Sequence, residues 1–274
     1  MTNLKQFAPW SISKLEVANN CSLRFKWEYL DKAKKYAVPA SAGRIGGACH
    51  KQIELMLQGE TYDRSFKVAA EKEKLTFNEL ESLACFKDAV LEFLTRIAKW
   101  KLAHPVDKEF IEMRFGIDEN LKQVDFWSKT ALFRGAIDLG LKLKDRTLVV
   151  LDHKSGKPKN VSEYADQLNS YAAAGLIMYP DITAVDSRVH FLTEKTIVNG
   201  PLIPADKIRN EIIPWLLTYI EQTTITLLGN EAKPTKGWYC SFCPYKPVCP
   251  AWVTAVESEV EVPLNLEVGD KNNI

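Results

Sequence analysis

The chain has 274 residues, of which 46% are hydrophobic and 26% are charged. This composition excludes a disordered or collagen-like protein, and the length allows one or two domains. Residues 255–274 carry a net charge of −4 and the rest of the chain +5, so a polyanionic partner is permitted but not required. No apolar run has the length of a signal peptide or a membrane span. We therefore expect a soluble, cytoplasmic protein without a membrane partner.

The N-terminal half is predicted to be helical. Ser11 can cap a short helix that runs toward Cys21. Apolar residues recur at helical spacing over residues 43–57 and again over residues 79–102, where Pro105 ends the pattern. Each of these two ranges predicts one amphipathic helix.

The second half is predicted to alternate between strands and helices. Strands are predicted over residues 110–117, 132–143, 147–151 and 185–192, and helices over residues 162–178 and 208–228. Residues 147–151 are nearly all apolar, which is typical of a central strand buried on both faces. The order of helix, three strands, helix and strand predicts an α/β fold with a central sheet flanked by helices.

Two aspartates are predicted to face each other across a hairpin. If the turn before residues 147–151 is centred on Asp145, paired residues sum to 290, which sets Asp138 opposite Asp152. Their Cβ atoms would lie about 5 Å apart, and two negative charges at that separation repel by roughly 3 kcal/mol at an effective dielectric of about 20. We therefore expect a compensating cation, and carboxylates select hard divalent ions such as Mg²⁺ or Mn²⁺.

A lysine follows the second aspartate at strand spacing. Lys154 lies two residues after Asp152 and therefore points to the same face of the strand. A divalent ion beside a lysine suits phosphodiester hydrolysis, because the ion activates water and the lysine stabilises the developing charge. The alternative is an ordinary Asp–Lys pair at the end of a surface strand.

Two helices each carry a pair of candidate site residues at positions i and i+4. Gly46 and His50 share one helical face, where glycine allows close approach and a neutral imidazole can join a metal site. Gln167 and Tyr171 share a face of a later helix and are candidates to hold nucleic acid or active-site water. A structural histidine and a solvated helix surface are the alternatives.

Together these residues resemble the motifs of the RecB-like branch of the PD-(D/E)XK nuclease superfamily. That branch shows, in order, G-x-x-x-H, a strand glutamate, G-x-x-D, D-x-K and Q-x-x-x-Y. The corresponding residues here are Gly46–His50, Glu112, Gly135–Asp138, Asp152–Lys154 and Gln167–Tyr171. The proline of the family name is absent, and aspartate stands where glutamate is commoner before the lysine; both departures occur in this branch.

The resemblance implies a restriction-endonuclease-like αβββαβ core and a set of site residues. The implied metal ligands, for Mg²⁺ or Mn²⁺, are His50, Asp138, Asp152 and the backbone carbonyl of His153. The implied catalytic residues are Asp138, Asp152, Lys154 and Glu112, with Glu109 as a competitor for the role of Glu112. The implied DNA-binding and supporting residues are Gln167, Tyr171, Arg44 and Gly46.

Three of the six cysteines form a C-x2-C-x5-C motif: Cys240, Cys243 and Cys249. In a reducing compartment such a cluster binds metal rather than forming disulfides, and a tetrahedral thiolate site needs a fourth ligand from elsewhere in the chain. Cys49 and Cys85 lie among apolar helix positions and are predicted to be buried thiols. Cys21 lies outside any strong helix face.

The cysteine arrangement resembles the iron–sulfur nucleases of the same superfamily, the AddB-type nuclease domains and the CRISPR-associated exonucleases. In these, one cysteine precedes the nuclease core and three follow it. The resemblance implies a 4Fe–4S cluster on Cys21, Cys240, Cys243 and Cys249, in a module that joins the N- and C-terminal segments; a zinc site is the alternative. Residues 1–254 would then form one nuclease domain, and residues 255–274 an acidic, flexible tail.

The expected function is that of a metal-dependent DNA exonuclease acting on single strands or DNA ends, with 5′ to 3′ polarity, in DNA repair, recombination or phage or CRISPR DNA processing. The host would be a bacterial, archaeal or phage-infected cell. The sequence has no helicase motif, so a helicase or recombination partner would act in trans. The alternatives are a structure-specific endonuclease, a non-catalytic DNA-binding iron–sulfur subunit of a larger complex, or a redox sensor; the oligomeric state stays open.

Aromatic residues among basic ones are candidates for stacking on single-stranded bases. They are Trp10, Trp27 and Tyr36. The basic residues considered for phosphate contacts are Arg24, Lys26, Lys34, Lys35, Arg44, Lys51, Lys157 and Lys159.

Overall fold

The computed structural model describes residues 4–253, which fall into two compact units. The sheet unit comprises residues 4–12 and 41–220, and the cysteine unit comprises residues 13–40 and 221–253. No helix in these described residues is long and apolar enough to cross a membrane. The expected single domain over residues 1–254 stays a prediction, and the expected acidic tail, residues 255–274, lies outside the described residues.

Seven helices of eight or more residues lie in the described part of the chain. They are α1 (Ile12–Asn20), α2 (Ser41–Leu57), α3 (Tyr62–Glu73), α4 (Phe77–Ala84), α5 (Lys87–Ala103), α6 (Ala165–Met178) and α7 (Ile213–Gly229). The single helix predicted over residues 79–102 is wrong, because the chain forms α4 and α5 there. A capping box starts α4: the Thr76 backbone N–H donates to Glu79 Oε2 at 2.9 Å. Helix α3 was not predicted from the sequence.

The break between α4 and α5 decides the environment of one cysteine. Phe86 packs against the apolar core, and the preceding residue, Cys85, is turned into solvent. The prediction that Cys85 is a buried thiol is therefore wrong. Cys49, on α2, is fully buried as predicted, and burial raises the pKa of its thiol to about 12.

Six strands within the described residues form one sheet. They are β1 (Val106–Asp118), β2 (Gln123–Val124), β3 (Ala131–Leu143), β4 (Thr147–Lys154), β5 (Ala184–Phe191) and β6 (Thr196–Pro204). Their order is β2-β1-β3-β4-β5-β6, and all neighbours are antiparallel except β4 and β5, which are parallel and joined through α6. The four predicted strands and the central place of β4 are confirmed. Strands β2 and β6 were not predicted.

Strand β4 is buried on both faces and separates two environments. On one face, Val149 and Leu151 join an apolar core with α2, α3, α4 and α5, and each such buried side chain contributes about 1.5–3 kcal/mol. On the other face, the alternate residues Asp152 and Lys154 meet side chains of α6. The alternation of β4 thus places its charged end beneath α6.

Candidate active site

The β3–β4 hairpin has the predicted register, and its ladder stops next to the aspartates. Leu139 pairs with Leu151 and Gly140 with Val150, so paired residues sum to 290. Asp138 and Asp152 lie one step beyond the last pair. The Asp138 carboxylate enters the opening between the strands, where Oδ2 accepts a hydrogen bond from the backbone N–H of His153 at 2.7 Å. The two aspartates therefore flank a fork in the sheet.

Asp152 is buried and held by three side chains. Its Oδ1 accepts hydrogen bonds from Gln167 Nε2 at 2.9 Å and from the Tyr171 hydroxyl at 3.2 Å, and its Oδ2 lies 2.7 Å from Lys154 Nζ. Lys154 Nζ also donates to Gln167 Oε1 at 2.9 Å, and Gln167 Nε2 donates to the Tyr171 hydroxyl at 2.7 Å. The structure thus brings four predicted site residues into one closed network.

Burial and the neighbouring charges shift the pKa values of the ionisable groups in this network. Burial lowers the pKa of Lys154, but the Asp152 carboxylate more than compensates, so the pKa of the ammonium is raised. Burial and the charge of Asp138 together raise the pKa of Asp152. Lys154 therefore stays protonated at neutral pH. It can therefore donate hydrogen bonds and stabilise negative charge.

His50 supplies a second positive charge on the opposite side of the fork. Its Nδ1 lies 3.1 Å from Asp138 Oδ1. Burial lowers the pKa of His50, but the charge and hydrogen bond of Asp138 outweigh it and raise this pKa to about 9. One turn earlier, a Cβ on Gly46 would lie only 3.0 Å from Ser155 Oγ, so glycine lets α2 approach the chain directly after Lys154.

Glu112 lies on β1 opposite Asp138. The next pair, Met113 with Ile137, fixes this register. The φ of Glu112 is 51°, in the left-handed region, which is uncommon for a residue with a side chain and is concentrated at functional sites. Burial and the charge of Asp138 raise the pKa of the Glu112 carboxyl. The backbone distortion thus occurs beside the aspartates.

Two other sequence candidates are engaged with neighbours. Glu109, the competitor of Glu112, forms an ion pair with Lys101 at 2.8 Å. The Arg44 guanidinium binds Glu79, with Nε 3.1 Å from Oε1, and this contact lowers the pKa of Glu79 to about 2. The structure therefore favours Glu112 over Glu109, and it places Arg44 between α2 and α4.

A buried histidine pair behind the aspartates was missed by the sequence analysis. The side chain of His153 lies 3.0 Å, Nδ1 to Nδ1, from His190 on β5, and one of these nitrogens must carry a proton. Phe93 of α5 stacks on His190 at 4.5 Å and meets His153 edge-on at 4.8 Å. Burial lowers the pKa of both rings, that of His190 to about 4, so the pair is neutral at pH 7.

The residues near Asp138 and Asp152 suit a divalent ion by their ligand chemistry, although the described residues contain no preformed group of metal ligands. Within residues 4–253, no group of three or more His, Cys, Asp or Glu side chains is placed to hold a metal ion. However, Asp152 Oδ2 is buried and, within these residues, has only its ion pair with Lys154. Two buried carboxylates beside an imidazole are suitable ligands for Mg²⁺ or Mn²⁺.

In the cysteine unit, the four predicted cluster cysteines line one cavity. They are Cys21, Cys240, Cys243 and Cys249. Burial raises the pKa of the Cys243 and Cys249 thiols, and the proximity of Cys21 adds to both shifts. Among the described residues, the four cysteines line this cavity without forming a group placed to hold a metal ion.

The two chain segments of the cysteine unit are joined by hydrogen bonds. The Val38 backbone N–H donates to the Pro244 carbonyl at 2.8 Å. The Ser22 hydroxyl accepts from the Lys233 backbone N–H at 3.0 Å. These contacts hold the segment after Cys21 against the segment that carries the other three cysteines.

The mixed sheet and its acidic fork are consistent with a restriction-endonuclease-like core. Residues 9–250 match the model of the PD-(D/E)XK nuclease superfamily, and the chain belongs to this superfamily. A metal-dependent nuclease is the class of protein that this membership indicates. A solved structure described as the crystal structure of SSO0001 is similar over 76% of this chain and 96% of that chain, with 14% identity and a TM-score of 0.34. No curated protein matches the chain.

Proposed function

We propose that this nuclease is a Mg²⁺- or Mn²⁺-dependent DNA exonuclease of the RecB-like branch. It would act on single strands or DNA ends with 5′ to 3′ polarity, in DNA repair, recombination or phage or CRISPR DNA processing, with any unwinding supplied by a partner in trans. The observation that carries the proposal is the closed network of Asp152, Lys154, Gln167 and Tyr171 beside Asp138.

The proposed metal ligands are His50, Asp138, Asp152 and the backbone carbonyl of His153. A divalent ion bound there supplies charge neutralisation and water activation for phosphodiester hydrolysis. His50 must first lose its proton, because only the neutral imidazole can ligate a metal. The Asp138 carboxylate is already fixed for this role by the His153 backbone N–H.

The remaining residues prepare the site through their own charges and hydrogen bonds. Lys154, kept protonated by Asp152, would donate to a phosphate oxygen and stabilise the charge that develops there. Gln167 and Tyr171 would act as positioning residues, because both hold the Asp152 carboxylate. Glu112 would add a third carboxylate beside Asp138.

We further propose that the cysteine unit holds a 4Fe–4S cluster. Its support is the single cavity that the four cysteines share, together with the backbone N–H of Gly237, which points at Cys240 Sγ from 3.4 Å. Such N–H groups stabilise bound thiolates. The cluster would tie the segments before and after the nuclease core into one domain over residues 1–254.

The nuclease proposal is tested on four DNA substrates with Mn²⁺: linear and circular, each single- and double-stranded. We expect the wild type to degrade linear single strands from their ends and to leave circles intact. Asp152→Asn, which removes one carboxylate charge from the fork, should be inactive on all four. Cutting of circles would indicate an endonuclease, and no cleavage by the wild type would contradict the enzyme proposal.

The cluster proposal is tested on protein purified without oxygen. We expect about four iron atoms per chain. The protein should also be coloured, because iron–sulfur clusters absorb visible light. Cys240→Ser should lower the iron content strongly, whereas Cys85→Ser, the matched change at the exposed cysteine, should leave it unchanged. If the purified protein is colourless and contains zinc, the cluster proposal is contradicted and the zinc site is supported instead.

A further inference from the structure

A row of side chains on the sheet leads away from the acidic fork. On β3, residues Asp138, Ala136 and Arg134 are two positions apart and share one face, while Ile137 and Phe133 of the other face are buried. On β1, Arg114 pairs with Ala136 and is exposed, and the following residue, Phe115, is buried. Arg134 lies four residues from Asp138, about 13 Å along a strand. Two arginines therefore follow the aspartates on the same surface.

Two aromatic rings cover these arginines. Phe126 and Trp127 belong to the loop between β2 and β3, and the Trp127 side chain is 69% exposed. The Arg134 guanidinium lies 5.1 Å from the Phe126 ring centre and 5.5 Å from that of Trp127, and Arg114 lies 5.7 Å from Phe126. These four residues, Arg114, Arg134, Phe126 and Trp127, form the arginine–tryptophan patch.

The loop that carries the two rings has internal hydrogen bonds and packs closely on β1. The Trp127 backbone N–H donates to Asp125 Oδ1 at 2.8 Å, and the Ser128 hydroxyl lies 2.7 Å from that of Thr130. A Cβ on Gly116 of β1 would lie 2.8 Å from the Asp125 carbonyl oxygen, so only glycine allows the loop to lie this close to the strand. The exposed tryptophan is therefore presented by a fixed backbone.

The two guanidiniums are available to an anion. Among residues 4–253, no carboxylate lies within ion-pair distance of Arg114 or Arg134, in contrast to Arg44 with Glu79 and Arg188 with Asp186. At longer range, the charge of Arg114 partly opposes the raised pKa of Glu112. An exposed aromatic ring beside such arginines suits single-stranded nucleic acid, because a ring can stack on a base while the cations bind phosphates.

We propose that the arginine–tryptophan patch binds single-stranded DNA a few nucleotides from the bond that is cut, with a base stacked on Trp127 and phosphates on Arg134 and Arg114. This inference rests on the proposed nuclease function and extends it, because it specifies which surface of the protein guides the DNA strand to Asp138. An interior base of a duplex has both faces covered by its neighbours and cannot stack on Trp127 without being unpaired, so the patch favours single strands over duplex interiors.

The test is fluorescence anisotropy of a labelled oligo(dT) without divalent metal, followed by oligonucleotides in which one abasic site is moved along the chain. We expect Trp127→Ala to weaken oligo(dT) binding about tenfold, as for the loss of one base–aromatic stack. An abasic site at one position should weaken binding by the wild type to the same extent and should not affect Trp127→Ala further. Arg134→Ala should reduce the slope of log affinity against log salt by about 0.7.

Matched controls separate this site from general effects of the substitutions. Phe77→Ala removes a ring that is 74% exposed on α4, and Arg64→Ala removes an arginine whose side chain is 71% exposed on α3; both should bind DNA as the wild type does. Equal binding by Trp127→Ala and the wild type, or equal sensitivity of both to every abasic position, would overturn the proposal. Tighter binding of oligo(U) with the same Trp127 dependence would overturn its DNA part.

Cleavage with Mn²⁺ is measured separately, so that the two proposals fail in different ways. Cleavage by the wild type without any Trp127 effect on binding would retain the nuclease and reject the patch. Binding that depends on Trp127 without cleavage by the wild type would retain the patch and reject the nuclease.

Discussion

Replacing Lys154 by alanine is expected to reduce Mn²⁺-dependent DNA cleavage by about 10²–10³-fold, the usual cost of removing one preorganised donor from a developing negative charge. Lys154 Nζ lies 2.7 Å from Asp152 Oδ2 and donates to Gln167 at 2.9 Å. These contacts hold the ammonium in place and keep it protonated. Its loss removes the one cation that the β4 strand itself brings to the fork.

The control for this substitution is Lys142→Ala. Lys142 lies on the neighbouring strand β3 and also forms an ion pair with an aspartate, Asp181, at 2.6 Å, but it belongs to the opposite end of the hairpin. The Lys142→Ala variant should cleave DNA at close to the wild-type rate. Calorimetric titration with Mn²⁺ should show that Lys154→Ala still binds the ion, because the carboxylates remain. Undiminished cleavage by Lys154→Ala would remove this residue from the proposed mechanism.

Acidification from pH 7 to pH 4 is expected to lower the free energy of unfolding by about 3 kcal/mol through His190 alone. Burial lowers the pKa of His190 to about 4 in the folded protein, whereas the ordinary value is about 6.5. The unfolded chain therefore binds a proton between these values and the folded protein does not. The stabilisation is complete above about pH 6.5 and is lost as the pH falls toward 4.

The histidine pair is tested by urea unfolding at pH 7, 5.5 and 4. The variant should replace both rings, His153→Leu with His190→Leu, since a single replacement leaves a buried ring nitrogen without its partner. We expect the free energy of unfolding of the double variant to depend less on pH by more than about 3 kcal/mol, because burial lowers the pKa of His153 as well as that of His190 and both contributions are removed. His104→Leu, which removes a ring stacked on Trp100 instead, is the control. Parallel pH curves for the wild type and the double variant would contradict the prediction.

The parts of the site that the sequence predicts are those that local geometry determines. The turn at Asp145 and the two-residue period of strands place Asp138 near Asp152 and set Lys154 on the same face. The i, i+4 rule places Gln167 with Tyr171. None of these relations requires knowledge of which elements pack together.

The parts that the sequence does not predict depend on contacts between distant elements. His190 meets His153 only because β5 lies parallel to β4 in a register that pairs these two residues. Nothing in the sequence distinguishes Trp127 from other aromatic residues in loops, because its contact with Arg134 arises only when the sheet forms. Conversely, Trp10, a candidate for base stacking, is fully buried and joined to β3. Strand β6 escapes prediction because Gly200 and Pro201 interrupt its pattern.

The fork in the sheet also has a consequence for the order of folding. Asp138 and Asp152 are only 14 positions apart on a short hairpin, so loop closure brings them together at little entropic cost. His50, which balances Asp138, lies 88 positions away, and α6 must pack on the sheet before Gln167 can reach Asp152. Lys154 can balance Asp152 within the hairpin itself, whereas Asp138 gains its cation only when α2 docks. We therefore expect the charge of Asp138 to be balanced late, together with completion of the tertiary structure.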